Sequence, residues 1–116
     1  MALAYIEKPW GNEVIFAHTD KYVGKILTIN KGHRLSRQYH EIKDETIYVS
    51  EGTLSLELGE GDKVTELQLN EGHAFHIEPG VIHRFCAPYG CVKLLEVSTP
   101  ELDDIVRLED NYGRVK

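Results

Sequence analysis

Six short runs in which apolar and polar residues alternate, separated by turn residues, restrict this chain to an all-β fold. They are Lys25–Asn30 (KILTIN), Thr46–Ser50 (TIYVS), Thr53–Leu58 (TLSLEL), Val64–Leu69 (VTELQL), Ala74–Ile77 (AFHI) and Val92–Val97 (VKLLEV). A period of two sends successive side chains to opposite faces of a strand, so each run can bury one face and wet the other. Between them lie Lys31-Gly32, Glu51-Gly52, Gly59–Asp62, Asn70–Gly72, Glu78–Gly80 and Pro88–Gly90, all sequences that turn readily. Strands this short, at this spacing, predict a sandwich or a barrel closed on itself. Helical periodicity is absent before residue 100. Pro100–Asp104 offers one short helical turn at most, and the tail is expected to be extended.

The 116 residues suffice for a buried core without a disulfide framework. They are expected to form one domain: an N-terminal arm or edge strand at 1–23, a barrel core at 24–99 and a C-terminal tail at 100–116. Pro9 cannot donate to a sheet ladder, which places its segment at an edge. Trp10, the single tryptophan, is expected to cap one end of the core; contact with a ligand or a second subunit is the alternative. A formal charge of −6 argues against a nucleic-acid partner, and no apolar run approaches the ~20 residues that span a bilayer. With no charged-then-apolar leader, a cytoplasmic location is expected. Cys86 and Cys91 bracket Ala-Pro-Tyr-Gly; a hairpin there would bring them within disulfide reach, but free thiols are the expectation.

The chemistry concentrates between Gly32 and Gly52 and returns at Gly72–His83. Gln38 and His40 are two apart, so on a strand they share a face, roughly 7 Å apart along the backbone. Glu45 follows on the next strand, and His83 arrives in GHAFHIEPGVIH. Three polar groups inside a narrow barrel would be costly to desolvate unpaired. An amide oxygen, two imidazoles and a carboxylate together suit one divalent ion, with Zn, Mn, Fe, Ni and Co all compatible. The predicted metal ligands are therefore Gln38, His40, Glu45 and His83.

His33, His73 and His76 are not expected to be ligands; His76 is kept only as a proton-transfer candidate, and His18 has no evident partner. Arg37 and Arg84 neighbour Gln38 and His83 in sequence, so they should point away from the metal as solvated surface charge.

These motifs resemble the cupins. Gly32, five residues, Gln38-x-His40, four residues, Glu45, six residues and Gly52 is similar to the first cupin motif, with Gln38 in place of its first histidine. Gly72, five residues, Glu78-Pro79-Gly80, two residues and His83 is similar to the second, with Glu78 where proline is usual and Ala87 where asparagine often stands. The resemblance implies a jelly-roll barrel, the double-stranded β-helix.

A narrower likeness covers most of the chain. Lys8-Pro-Trp-Gly-x-Glu13, Leu35-Ser-x-Gln38-x-His40 with Glu45, and Asp104-Ile-Val-Arg-Leu-Glu-Asp-x-Tyr-Gly-Arg114 resemble the C-terminal cupin domain of type II mannose-6-phosphate isomerases. In bifunctional members that domain follows a nucleotidyltransferase domain, which these residues do not contain. Glu41–Asp44 replaces a run with histidine and arginine.

The resemblance implies a metal-dependent aldose–ketose isomerase acting on a sugar or sugar phosphate. Arg107 and Arg114 would be its anion clamp, with Lys43 and Lys93 behind them and Tyr48 available to a sugar hydroxyl. A homodimer is also expected on this basis. Two other readings stand beside it: a non-catalytic module that binds carbohydrate or metal, and an Fe(II) site for oxygen chemistry.

Overall fold

The computed structural model describes residues 4–115. Among the described residues, eleven strands form two antiparallel sheets, and the one helical element is a single 3-10 turn at Gly61–Lys63. In chain order the strands are β1 (Ala4–Lys8), β2 (Gly11–His18), β3 (Val23–Ile29), β4 (Arg37–Tyr39), β5 (Glu45–Glu51), β6 (Leu54–Leu58), β7 (Thr65–Leu69), β8 (Ala74–Ile77), β9 (His83–Cys86), β10 (Val92–Ser98) and β11 (Val106–Glu109). The larger sheet runs β1-β2-β3-β10-β5-β8, and the smaller runs β11-β4-β9-β6-β7. The all-β expectation holds, and five of the six alternating runs lie on β3, β5, β6, β7 and β8 and the sixth on β10.

Alternation builds the core. Leu27 and Ile29, Ile47 and Val49, Ile77, and Val92 and Leu94 point inward from the larger sheet and meet Leu54, Leu56 and Phe85 from the smaller. Trp10 joins this cluster with 2 % of its surface exposed, as the expected cap. At the barrel ends the architecture exceeds the expected 24–99 core. The N-terminal piece is no loose arm: β1 is the sheet's edge, but β2 is paired along β3. Within the tail, β11 pairs with β4 and so completes the smaller sheet.

β9 escapes periodicity because all four of its residues are buried. His83 and Phe85 face the barrel interior. Arg84 lies on the other face, beneath the C-terminal segment, where it donates to the Leu35 carbonyl at 2.8 Å and to Asn111 Oδ1 at 3.0 Å. The expectation of solvated charge fails for both arginines. Arg84 is 1 % exposed and Arg37 6 %. Arg37 pairs with Glu57 at 2.6 Å and Glu109 at 3.1 Å, so these guanidiniums clamp β11 onto the barrel. Cys86 and Cys91 are free, since their connection passes from one sheet to the other and makes no hairpin. Burial, reinforced by Glu57, pushes the Cys86 thiol up to about 12, so it is unreactive. Among the described residues no helix is long and apolar enough to cross a membrane.

Gly52 closes the turn between β5 and β6 with φ of +80°, a conformation that costs an L-residue roughly 1–2 kcal/mol. A Cβ there would also sit 2.4 Å from the Cys91 carbonyl oxygen, which belongs to rigid backbone. Gly61 has φ of +64° but open space around it. Gly52→Ala is therefore expected to cost at least about 2 kcal/mol in urea unfolding, and Gly61→Ala about 1. Equal costs would show that the Cys91 contact relaxes freely.

Candidate metal centre

His40, Glu45 and His83 converge inside the barrel, all buried, with one ligand atom from each lying within 4.8 Å of the others. His40 follows β4, Glu45 opens β5 and His83 opens β9, so three separate segments meet at this point. His40 Nε2 is 3.0 Å from Glu45 Oε2, and His83 Nε2 is 3.9 Å from Oε1. Both rings are fixed from behind. His40 Nδ1 donates to the Asp104 carbonyl at 2.6 Å, and His83 Nδ1 donates to the Val81 carbonyl at 2.9 Å.

A carbonyl oxygen only accepts, so each Nδ1 carries a ring hydrogen and each Nε2 is the atom turned toward Glu45. Both Glu45 oxygens are buried and receive no hydrogen bond in the described structure. Two ring nitrogens thus face a buried carboxylate, a donor set that suits a divalent cation. Lys43 Nζ lies 3.3 Å from Oε2, an ion pair without hydrogen-bond alignment, and it also serves Glu96 at 3.3 Å. A divalent ion about 2.1 Å from each donor would satisfy all three groups after small adjustments. The residues fit the ion.

Gln38 is next to His83 across the β4–β9 pairing. Its amide nitrogen donates to Ser36 Oγ at 3.0 Å, which leaves the amide oxygen as the atom for a further partner.

These groups line one wall of a cavity of about 110 Å³ whose other residues include Trp10, Lys25, Glu13, Glu96, Arg107 and Arg114. Charges of alternating sign cross its floor. Glu13 pairs with Lys25 at 3.4 Å, Lys25 is the cross-strand neighbour of Glu96, and Glu96 shares Lys43 with Glu45. Burial, then the nearby Glu45, raises the Glu96 carboxyl above its ordinary range, and Lys43 and Lys25 work against this. Arg107 lines the cavity with its buried Nε unpartnered. Arg114 is committed to Asp110 by two bonds of 2.8 and 2.9 Å.

Other expected site residues lie elsewhere. Tyr48 and Lys93 are on the outer face of the larger sheet, one strand position out of phase with Ile47 and Leu94, so neither reaches the cavity. His76 is likewise outside, at 2.6 Å from Asp44 Oδ1, because Phe75 and Ile77 take the inward positions. Lys43 does enter, as the partner of two carboxylates.

Sequence reasoning missed Glu13, Lys25, Glu96 and Asp104. Lys25 was detectable as a charged residue in phase with buried Leu27, whereas adjacent Leu94 and Leu95 hid the phase of Glu96. Asp104 carried no such signal. Its carboxylate accepts the backbone N–H groups of Glu41, Ile42 and Lys43 at 3.0, 2.7 and 2.8 Å, and those three bonds lower its pKa. Its carbonyl also orients His40, so one residue holds both a candidate ligand and the loop leading to the next.

The fold and this centre together define a cupin. An RmlC-like cupin from Shewanella frigidimarina superposes with a TM-score of 0.71, covering 84% of this chain and 83% of that one, at 16% identity. Residues 3–110 match the family described as "Mannose-6-phosphate isomerase C-terminal", and the chain belongs to that family. Among curated relatives, the xanthan biosynthesis protein XanB of Xanthomonas campestris pv. campestris (strain B100) is 35% identical over 113 residues. The mannose-1-phosphate guanylyltransferase of Escherichia coli (strain K12) is 30% identical over 116. These matches take in 94% and 95% of this chain but 23% of each relative, so the chain spans about a quarter of their length.

Two predictions follow from the site's electrostatics. Asp104→Ala frees three loop amides and is expected to cost about 1 kcal/mol of stability and about tenfold in metal affinity, by unfolding and by metal titration. Unchanged metal affinity would show that the loop is held otherwise.

The second concerns pH. Burial drives the Glu45 carboxyl upward, but His40, Lys43 and His83 overcome it and hold it at about 2. Burial holds His83 below its ordinary 6.5, with Glu45 opposing. In the metal-free protein, the unfolded chain thus takes up a proton on His83 below pH 6.5, and on Glu45 below 4.5, that the folded chain resists. Stability should fall as the pH drops from 6.5, and further between 4.5 and about 2. Glu45→Gln should flatten the lower limb of Tm against pH; an unaltered limb would assign it to other carboxylates.

Proposed function

We propose that this chain binds one divalent metal ion through His40, Glu45, His83 and Gln38 and acts as an aldose–ketose isomerase on a sugar phosphate of the mannose 6-phosphate class. The observation that carries the reading is the buried Glu45 carboxylate without a hydrogen-bond donor, flanked by two imidazoles whose Nδ1 hydrogens are already used. Family membership supports the substrate class.

The bound ion would supply Lewis acidity, polarising the C1 and C2 oxygens of an open-chain sugar. The chain's own side chains do the rest. Gln38 offers an amide oxygen beside His83, as a ligand or as an acceptor for a sugar hydroxyl. Arg107 is the anion contact, because its guanidinium lines the cavity without a carboxylate partner and suits bidentate binding of phosphate. Burial, then Arg114, lowers the Arg107 pKa, a strain that an incoming anion relieves. Arg114, taken up by Asp110, shapes this end of the cavity, and Lys43 neutralises Glu45 and Glu96. Trp10, Leu27 and Phe85 keep the inner wall dry.

Elemental analysis of untagged protein should find close to one equivalent of metal, and His40→Ala should lose it. Conversion of mannose 6-phosphate to fructose 6-phosphate should depend on that metal, and Arg107→Ala should raise KM about tenfold or more. Metal without isomerisation would favour the non-catalytic carbohydrate- or metal-binding module. Absence of metal before and after reconstitution, in folded protein, would remove the centre itself.

A further inference from the structure

Five cationic side chains line the cavity, and carboxylates account for only three of them. Lys25 pairs with Glu13 at 3.4 Å, Lys43 lies 3.3 Å from both Glu45 and Glu96, and Arg114 is held by Asp110 at 2.8 Å. Lys8 and Arg107 form no ion pair among the described residues. Strand parity explains how Lys8 comes to be there. It shares the inward phase of Ile6 on β1, and its cross-strand partner is Gly11, which has no side chain to fill the end of the β1–β2 hairpin. The lysine is therefore half-buried and lines the cavity with Trp10. β1 is an edge of the larger sheet and β11, which carries Arg107, is an edge of the smaller. Two uncompensated cations thus reach one cavity from the edges of opposite sheets.

We infer that Lys8 and Arg107 together form a subsite for the dianion of a phosphate monoester, gripped between the edges of the two sheets. The inference rests on the sugar-phosphate reading above and adds to it the second residue, and the charge, by which the phosphate is recognised. A monoester carries about −1.5 to −2 charges near neutral pH, which matches two cations without counter-charge. A carboxylate or a phosphodiester, each with a single charge, would leave one of the two cations uncompensated. The chemistry of the pair is also complementary. Arg107 presents a planar fork to two oxygens, and Lys8 a compact point charge to a third. Arg114 is spent on Asp110 through two bonds, and Lys25 and Lys43 on buried carboxylates, so none of these competes for the phosphate. The same cavity is lined by His40, Glu45 and His83, so a ligand anchored by its phosphate presents its remaining atoms to that cluster.

Isothermal titration with inorganic phosphate tests this, on the whole chain as purified and again after chelation, so that a bound ion cannot be the receptor. Phosphate should bind in both states, and dimethyl phosphate, with one charge, about tenfold more weakly. Lys8→Met and Arg107→Met should each weaken phosphate about tenfold, while Lys63→Met, an exposed lysine of the 3-10 turn, leaves it unchanged. Thermal melts establish that each variant is folded. Undiminished phosphate affinity in folded Lys8→Met would overturn the subsite, as would equal affinity for dimethyl phosphate or no binding by the wild type. Turnover separates this result from the reading beneath it. Phosphate held through Lys8 and Arg107 by a protein that does not convert mannose 6-phosphate would sink the isomerase and uphold the subsite. Conversion with a KM that Lys8→Met does not move would do the reverse.

Discussion

The Glu45 carboxylate is the constraint around which the interior is arranged. It is 2 % exposed, and neither of its oxygens receives a hydrogen bond among the described residues. Such a group is tolerable in a barrel only if positive charge is brought to it. Lys43 supplies part of that charge but divides it with Glu96, which is itself buried and next to Lys25. The result is a line of alternating charge from Glu13 to Glu45 along the floor of the cavity. Every member except the last is balanced by its neighbours. The shortfall at Glu45 is what a divalent ion would fill, and it lies where two ring nitrogens and an amide are already placed.

Fixing this arrangement falls to a segment remote in sequence. Residue 104 bonds to residues 40–43 through four contacts, and β11 is held to β4 by pairing and by Arg37 and Arg84 bridging to Glu109. The C-terminal segment therefore does two things at once. It sets the tautomer of His40 through a backbone carbonyl, and it delivers Arg107 to the cavity. The guanidinium that lines the cavity and the carbonyl that orients His40 lie three residues apart, so displacement of this segment would disturb both.

How far the sequence could be read depends on whether a residue's role is local. Strand parity is local, and it placed Ile47, Val49 and Ile77 inward and kept His76 outside. It also contained the correction to Tyr48, whose neighbours Ile47 and Val49 are both fully buried, but chemical resemblance to a sugar-binding tyrosine pulled against that parity. β10 was harder, because adjacent Leu94 and Leu95 hide which face is inner and hence conceal Glu96. β9 reads as polar because Arg84 is buried by a segment more than twenty residues away. Lys43 reaches Glu96 across 53 residues and Asp104 reaches the backbone of Lys43 across 61, distances that no spacing rule supplies. The cluster of His40, Glu45 and His83 was legible because two motifs carry its spacing; the residues that balance and orient it were not.

The adjacent leucines that obscure β10 make sense once each face is given its own task. A sheet with only one buried face would carry polar residues at positions 26, 95 and 48, and its alternation would be plain. Here the inner face spends its phase on Lys25, Glu96 and Glu45, so the strands are less apolar inside than a packed barrel requires, while the outer face is more apolar than water favours. The two departures lie on the same strands, β3, β10 and β5. β3, β10 and β5 thus carry buried charge inward and apolar side chains outward, so hydrophobicity along them marks neither face by itself, and only the register with neighbouring strands tells which face is the inner one.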